Sequence, residues 1–91
     1  MSERFKKSWS GWIRSSDGYS IRVGSRTGID YRDGLGELHI SSEVMASPSN
    51  KVVVYTRSIP DTAERPQAEV MGRLQRAFTF GGLILEPEDA N

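Results

Sequence analysis

The chain has 91 residues, of which 36% are hydrophobic and 26% charged, so it fits one small globular domain and is too apolar for a disordered segment. Twelve basic and twelve acidic residues cancel, which argues against a general binder of polyanions. The absence of cysteine excludes disulfides, thiolate metal sites and cysteine nucleophiles. No stretch reaches the ~20 apolar residues of a membrane span, and no apolar run follows the basic N-terminal residues. We therefore expect a cytoplasmic protein with no membrane contact.

A first β-hairpin is predicted around the pair Asp17-Gly18, because alternating apolar and polar residues lie on both sides of it. A two-residue turn at this pair would place Ser16 opposite Tyr19. One face of the hairpin would then carry Trp12, Tyr19, Ile21 and Val23. The other face would carry Ile13, Ser15, Ser20 and Arg22.

A second hairpin is predicted around Asp33-Gly34, where the same pattern repeats. Its two-residue turn would place Asp30 opposite Glu37, a like-charge pair. The apolar face would carry Ile29, Tyr31, Leu38 and Ile40. The polar face would carry Asp30, Arg32, Leu35, Glu37 and His39. The connection between the hairpins, residues 24–28, has a glycine at each end and is also compatible with a β-bulge.

The remaining chain predicts one strong strand, one helix and a short last strand. The run Val52–Val54 indicates a strand within 51–59 that is covered on both faces. Residues 66–80 form an amphipathic pattern with period 3.6, and residues 83–86 predict a strand that ends at Pro87. The apolar stripe of the helix consists of Val70, Met71, Leu74, Ala77 and Phe78.

These elements predict an α+β fold in the order β-β-β-β-β-α-β, an antiparallel β-meander of five to six strands with the helix packed on one face. The polar residues 1–8 are expected to be flexible, residues 9–86 to form a single domain, and residues 87–91 to form an acidic tail.

No catalytic or metal-binding motif is present. His39 is the only histidine, and a zinc site without cysteine or a second histidine would need carboxylates almost entirely. No Gly-x-Ser-x-Gly motif occurs, and no glycine pair precedes the helix to hold a phosphate. We expect no cofactor and no enzymatic activity.

The polar face of the sheet is the candidate contact surface for a protein partner, because arginine anchors and mixed charges are typical of specific interfaces. The candidate partner-binding residues are Ile13, Arg22, Asp30, Arg32, Glu37 and His39. Two alternatives remain at this point. One is a single-stranded nucleic-acid-binding module that uses Trp9, Trp12 and the arginines; we consider nucleic acid the less favoured partner. The other is a structural or phage-derived subunit that forms a homo-oligomer through an edge strand.

The order of these segments resembles a known family. The segments are Gly11-Trp12-Ile13, Gly36-Glu37-Leu38, Val52–Tyr55 with Ser58-Ile59, Glu69–Phe78, and Gly82–Glu86. In this order they resemble the small immunity proteins of bacterial polymorphic toxin systems, in particular the immunity protein 74 family. The linker after Ile59 lacks the tryptophan that such proteins tend to carry there. The resemblance implies a cytoplasmic, non-enzymatic bacterial protein that neutralises a cognate toxin by binding it, and it supplies no binding residues.

Overall fold

The computed structural model describes residues 3–25, 28–45 and 50–89. Within them lie seven strands, one α-helix (α1, Gln67–Phe80) and one 3-10 turn (Thr56–Ser58). The strands are β1 (Phe5–Lys7), β2 (Ile13–Ser15), β3 (Ser20–Ser25), β4 (Gly28–Asp33), β5 (Gly36–Val44), β6 (Lys51–Tyr55) and β7 (Ile84–Glu88).

All seven strands form one curled sheet in chain order. Neighbouring strands pair antiparallel from β1 to β6, whereas β7 pairs parallel with β6. Two parallel neighbours need a crossover connection, and α1 provides it. The α+β class is therefore confirmed, but the expected five to six strands and the purely antiparallel meander are wrong.

The two edge strands extend beyond the ordered segments that the sequence predicted. β1 lies within the polar segment 1–8, where Phe5 packs against the core and stacks on Phe80 with ring centroids 5.4 Å apart. β7 continues through Pro87 to Glu88. An edge strand tolerates a proline because one of its sides has no ladder to complete.

The core lies between the sheet and α1. The helix buries Val70, Leu74, Ala77 and Phe78, four of the five residues in the predicted stripe. The fifth, Met71, is half-buried against the core. Pro66 occupies the N-cap of α1, one residue before the first helical position. All three residues of Val52–Val54 are buried, as expected for a strand covered on both faces.

The first hairpin is shifted by one residue from the predicted register. Ile13 pairs with Ile21, and three residues, 16–18, form the loop. Gly18 has φ +92°, the left-handed conformation that closes a three-residue hairpin loop. A one-residue shift exchanges the faces of a strand. Ile13 therefore packs in the core and Trp12 lies on the opposite face, the reverse of the prediction.

The second hairpin is shifted by two residues, so its faces are as predicted. The turn lies at residues 34 and 35, and Asp30 pairs with His39 instead of Glu37. The predicted like-charge pair is therefore wrong, and Glu37 lies opposite Arg32. Between the hairpins the pairing of β3 with β4 shifts after Val23, which agrees with the bulge suggested by the glycines.

Among the described residues, no helix combines the length and apolar character needed to cross a membrane.

Candidate functional site

The sheet face turned away from α1, here called the outer face, brings together five of the six predicted partner-binding residues. Residues directly opposite each other on paired strands share a face. The pairings place two cross-strand lines of side chains on the outer face. One line runs through Lys6, Arg14, Ser20, Arg32 and Glu37. The other runs through Trp12, Arg22, Asp30 and His39.

Ile13 is the sixth predicted residue, and it does not belong to the outer face. Its side chain is only 6% exposed and lies in the core cluster. A Cβ placed on Gly81 at the end of α1 would lie 3.1 Å from the Ile13 Cδ1 atom. Ile13 is thus covered by the end of the helix, and its assignment to the partner-binding surface is wrong.

Trp12 lies on the outer face instead, and two arginines contact its ring. The guanidinium carbon of Arg32 lies 4.0 Å from the ring centroid of Trp12, and that of Arg22 lies 4.6 Å away. Both distances are within the range of cation–π attraction. These two contacts leave Trp12 only 8% exposed, although it lies on the polar face. The stack fixes the positions of both guanidinium groups.

Asp30 links the second line of side chains. Its Oδ2 accepts hydrogen bonds from Arg22 Nε at 3.2 Å and Nη2 at 2.8 Å, and its Oδ1 lies 3.3 Å from His39 Nδ1. The bonds from Arg22 lower the pKa of Asp30, and the contact with His39 lowers it further. Asp30 therefore stays ionised and holds Arg22 in place next to Trp12.

His39 lies directly over the backbone of Gly28. A Cβ placed on Gly28 would lie 2.3 Å from His39 Cε1, so only glycine leaves room for the ring in this position. The glycine thus sets the position of the imidazole beside Asp30. Trp12, Arg22, Asp30, Glu37, Leu38 and His39 line a depression of about 350 Å³ on this face.

A second polar cluster joins α1 to the sheet, and sequence reasoning missed it. Asp33 accepts hydrogen bonds from Arg65 Nη2 at 2.7 Å, Arg65 Nε at 3.1 Å and the hydroxyl of Tyr31 at 2.8 Å. Arg73 donates to the same hydroxyl at 2.7 Å. The Arg65 guanidinium holds the pKa of Asp33 well below its usual range. The alternating pattern identified Asp33 only as a turn residue, and no local signal connects it with an arginine 32 positions away.

A third polar cluster secures the N-terminal segment. Glu3 accepts hydrogen bonds from the hydroxyls of Ser15 and Tyr19 and from Arg76 Nε. Burial raises the pKa of Glu3, but the three hydrogen bonds outweigh burial and leave it lowered. Burial also raises the pKa of Tyr19 to about 12, with a further contribution from Glu3. This cluster holds the start of the chain against α1.

Within the described parts of the chain, no three histidine, cysteine, aspartate or glutamate side chains group closely enough to hold a metal ion. No protein-family model, no curated protein and no solved structure matches this chain.

Proposed function

We propose that this chain is a small non-enzymatic protein-binding module, an immunity protein that neutralises a cognate bacterial toxin by covering a surface that the toxin needs. The proposal rests on the outer face, where Arg22, Trp12 and Arg32 form one preordered stack. Arginine carries a large share of the binding energy in many protein interfaces, and guanidinium groups preordered by contact with Trp12 lose little entropy on binding.

An interface of ordinary size would cover a substantial part of so small a domain. A specific interface buries about 800 Å² on each partner. That area is about one seventh of the 5681 Å² accessible surface calculated for the chain. The polar residues around the stack, among them Asp30 and His39, would set the orientation of the partner and its association rate.

A single-stranded nucleic acid is the second candidate partner, and one observation favours it. Trp9 is 100% exposed, on a turn where Gly11 N donates to Ser8 O at 3.1 Å, so its ring is open to stacking by a base. Trp12 cannot add a second stacking platform, because it is only 8% exposed and two guanidinium groups lie against its ring. Of the two tryptophans that the nucleic-acid function would use, Trp9 alone is then open to a base, which makes this the weaker proposal.

The test of the immunity function measures the activity of a toxin-like protein encoded by a neighbouring gene, with and without this chain. We expect neutralisation by the wild type and at least a 100-fold higher requirement for the variant Glu37→Arg/His39→Glu, which changes two exposed residues of the outer face. The control is Lys7→Glu/Arg57→Glu, which also changes two exposed residues but outside the two outer-face lines. A toxin that is equally active with and without the wild-type chain would contradict the immunity function.

A further inference from the structure

The outer face carries a row of cations that the fold itself does not neutralise. Lys6, Arg14 and Arg32 lie in one line across strands β1 to β4. Among the described residues, no carboxylate lies within 4.0 Å of any of these three cationic groups. Adjacent strands are about 4.8 Å apart, so the row extends over roughly 14 Å. We call these three residues the basic row.

The arginines on the helix side behave differently. Arg65 and Arg73 pair with Asp33, and Arg76 pairs with Glu3. A chain with equal numbers of acidic and basic residues could also have paired the basic row internally, yet among the described residues none of its carboxylates forms an ion pair with the row. The basic row therefore has three positive charges available for a partner.

We propose that the partner bound by the outer face is an acidic protein segment whose carboxylates meet the basic row. This inference rests on the proposed protein-binding function and specifies the chemistry of that same site. Arginine at position 14 or 32 has the planar donor fork that matches a carboxylate with two parallel hydrogen bonds. The row would pair with three carboxylates spaced along an extended segment.

A protein segment fits this face better than a phosphate backbone does. Asp30 and Glu37 lie on the same face as the basic row and would repel a continuous chain of phosphates. The ring of Trp12 is covered by Arg22 and Arg32 and offers no surface for a base. A protein partner can place carboxylates against the basic row and its own cations against the two acidic residues.

The experiment uses the full-length chain labelled with ¹⁵N and three probes: a 20-residue poly-glutamate peptide, a 20-residue poly-lysine peptide and a 20-nucleotide oligo-thymidine. We expect poly-glutamate to shift the amide signals around Lys6, Arg14 and Arg32, with affinity falling at least 10-fold between 20 and 200 mM salt. The variant Lys6→Glu/Arg14→Glu should bind at least 10-fold more weakly. The control Lys7→Glu/Arg57→Glu, which has the same net charge, should change the affinity less than 2-fold.

Several results would overturn the inference. They are the absence of shifts with poly-glutamate, shifts that lie away from the basic row, and equal loss of affinity in both charge-reversal variants. Tighter binding of oligo-thymidine than of poly-glutamate, with quenching of Trp9 fluorescence, would identify a nucleic-acid surface instead. Because this experiment needs no cognate partner, its failure is separate from that of the toxin assay: a toxin neutralised through the outer face without use of the basic row would leave the proposed function intact.

Discussion

Replacement of Asp33 by asparagine tests how α1 is held on the sheet. The Asp33 side chain is 7% exposed and that of its partner Arg65 is 13% exposed. Two hydrogen bonds from Arg65 reach the carboxylate, and a hydrogen bond to a charged group is worth about 1.5–3 kcal/mol. Asparagine loses the charge and one acceptor oxygen, so we expect the free energy of unfolding at pH 7 to fall by about 3 kcal/mol. A chain of this length has a total free energy of unfolding of roughly 5–14 kcal/mol, so a loss of this size is a large fraction of its stability.

The matched control is Asp30→Asn on the outer face. Asp30 makes an equally short contact with an arginine, 2.8 Å to Arg22, but the two side chains are 34% and 38% exposed. Solvent screens such a pair, and its contribution to stability is typically about 0–1 kcal/mol. Urea unfolding followed by circular dichroism should therefore rank the two Asp→Asn variants by burial and not by contact distance. A loss below 1 kcal/mol for Asp33→Asn would refute the reasoning.

The pH dependence gives a second check on Asp33. Its pKa is lowered in the folded state from the ordinary value of 3.8. The stabilisation from the carboxylate is therefore complete above about pH 5 and is lost as pH falls below 3.8 towards the folded-state pKa. Between pH 5 and pH 3 the difference in unfolding free energy between wild type and Asp33→Asn should narrow by about 1 kcal/mol. If the difference in unfolding free energy stayed constant over this pH range, the proposed contribution of the Asp33–Arg65 ion pair to stability would be contradicted.

Four further predictions concern the core and the site. Leu74→Ala removes a fully buried side chain and should lower the free energy of unfolding by about 2–5 kcal/mol in urea titrations. Tyr19→Phe should remove a tyrosine that titrates near pH 12 in ultraviolet absorbance, since the pKa of Tyr19 is raised from the ordinary 10.0 to about 12. The raised pKa also means that the Tyr19 hydroxyl stabilises the fold fully below pH 10, and that this contribution is lost as pH rises towards 12. Gly28→Ala should shift the NMR signals of the His39 ring and change stability by less than ~1 kcal/mol, since the ring is exposed and can move away. Ser42→Ala should leave stability unchanged or raise it by about 1 kcal/mol, because the buried Ser42 Oγ has no hydrogen-bond partner among the described residues.

The sequence predicts correctly those elements whose hydrophobic pattern extends over several turns or does not depend on the exact register. The helix stripe from Val70 to Phe78 extends over more than two turns, so one shifted boundary does not change which residues are buried. The run Val52–Val54 indicates a covered strand in any register. The second hairpin kept its predicted faces although its turn was misplaced, because a two-residue shift preserves the alternation.

The parts that sequence reasoning missed depend on geometry between distant segments. Loop length decides whether Ile13 or Trp12 enters the core, and an Asp-Gly pair is compatible with both two-residue and three-residue loops. β1 is too short and too polar to be recognised before its pairing with β2 is known. The parallel pairing of β7 follows from the crossover through α1 and has no signal in the strand itself.

The division of the arginines connects the fold with the proposed site. On the helix side, Arg65, Arg73 and Arg76 fix α1 and the N-terminal segment to the sheet through buried or half-buried carboxylates. On the outer face, Arg14 and Arg32 make no ion pair with a described residue, and only Arg32 is held, by stacking on Trp12. Removal of Arg65 or Arg76 takes the nearest cation away from a largely buried carboxylate and should lower the free energy of unfolding. Removal of Arg14 or Arg32 should leave the fold intact and weaken partner binding. The helix-side arginines therefore contribute to stability, and these two outer-face arginines contribute to partner binding.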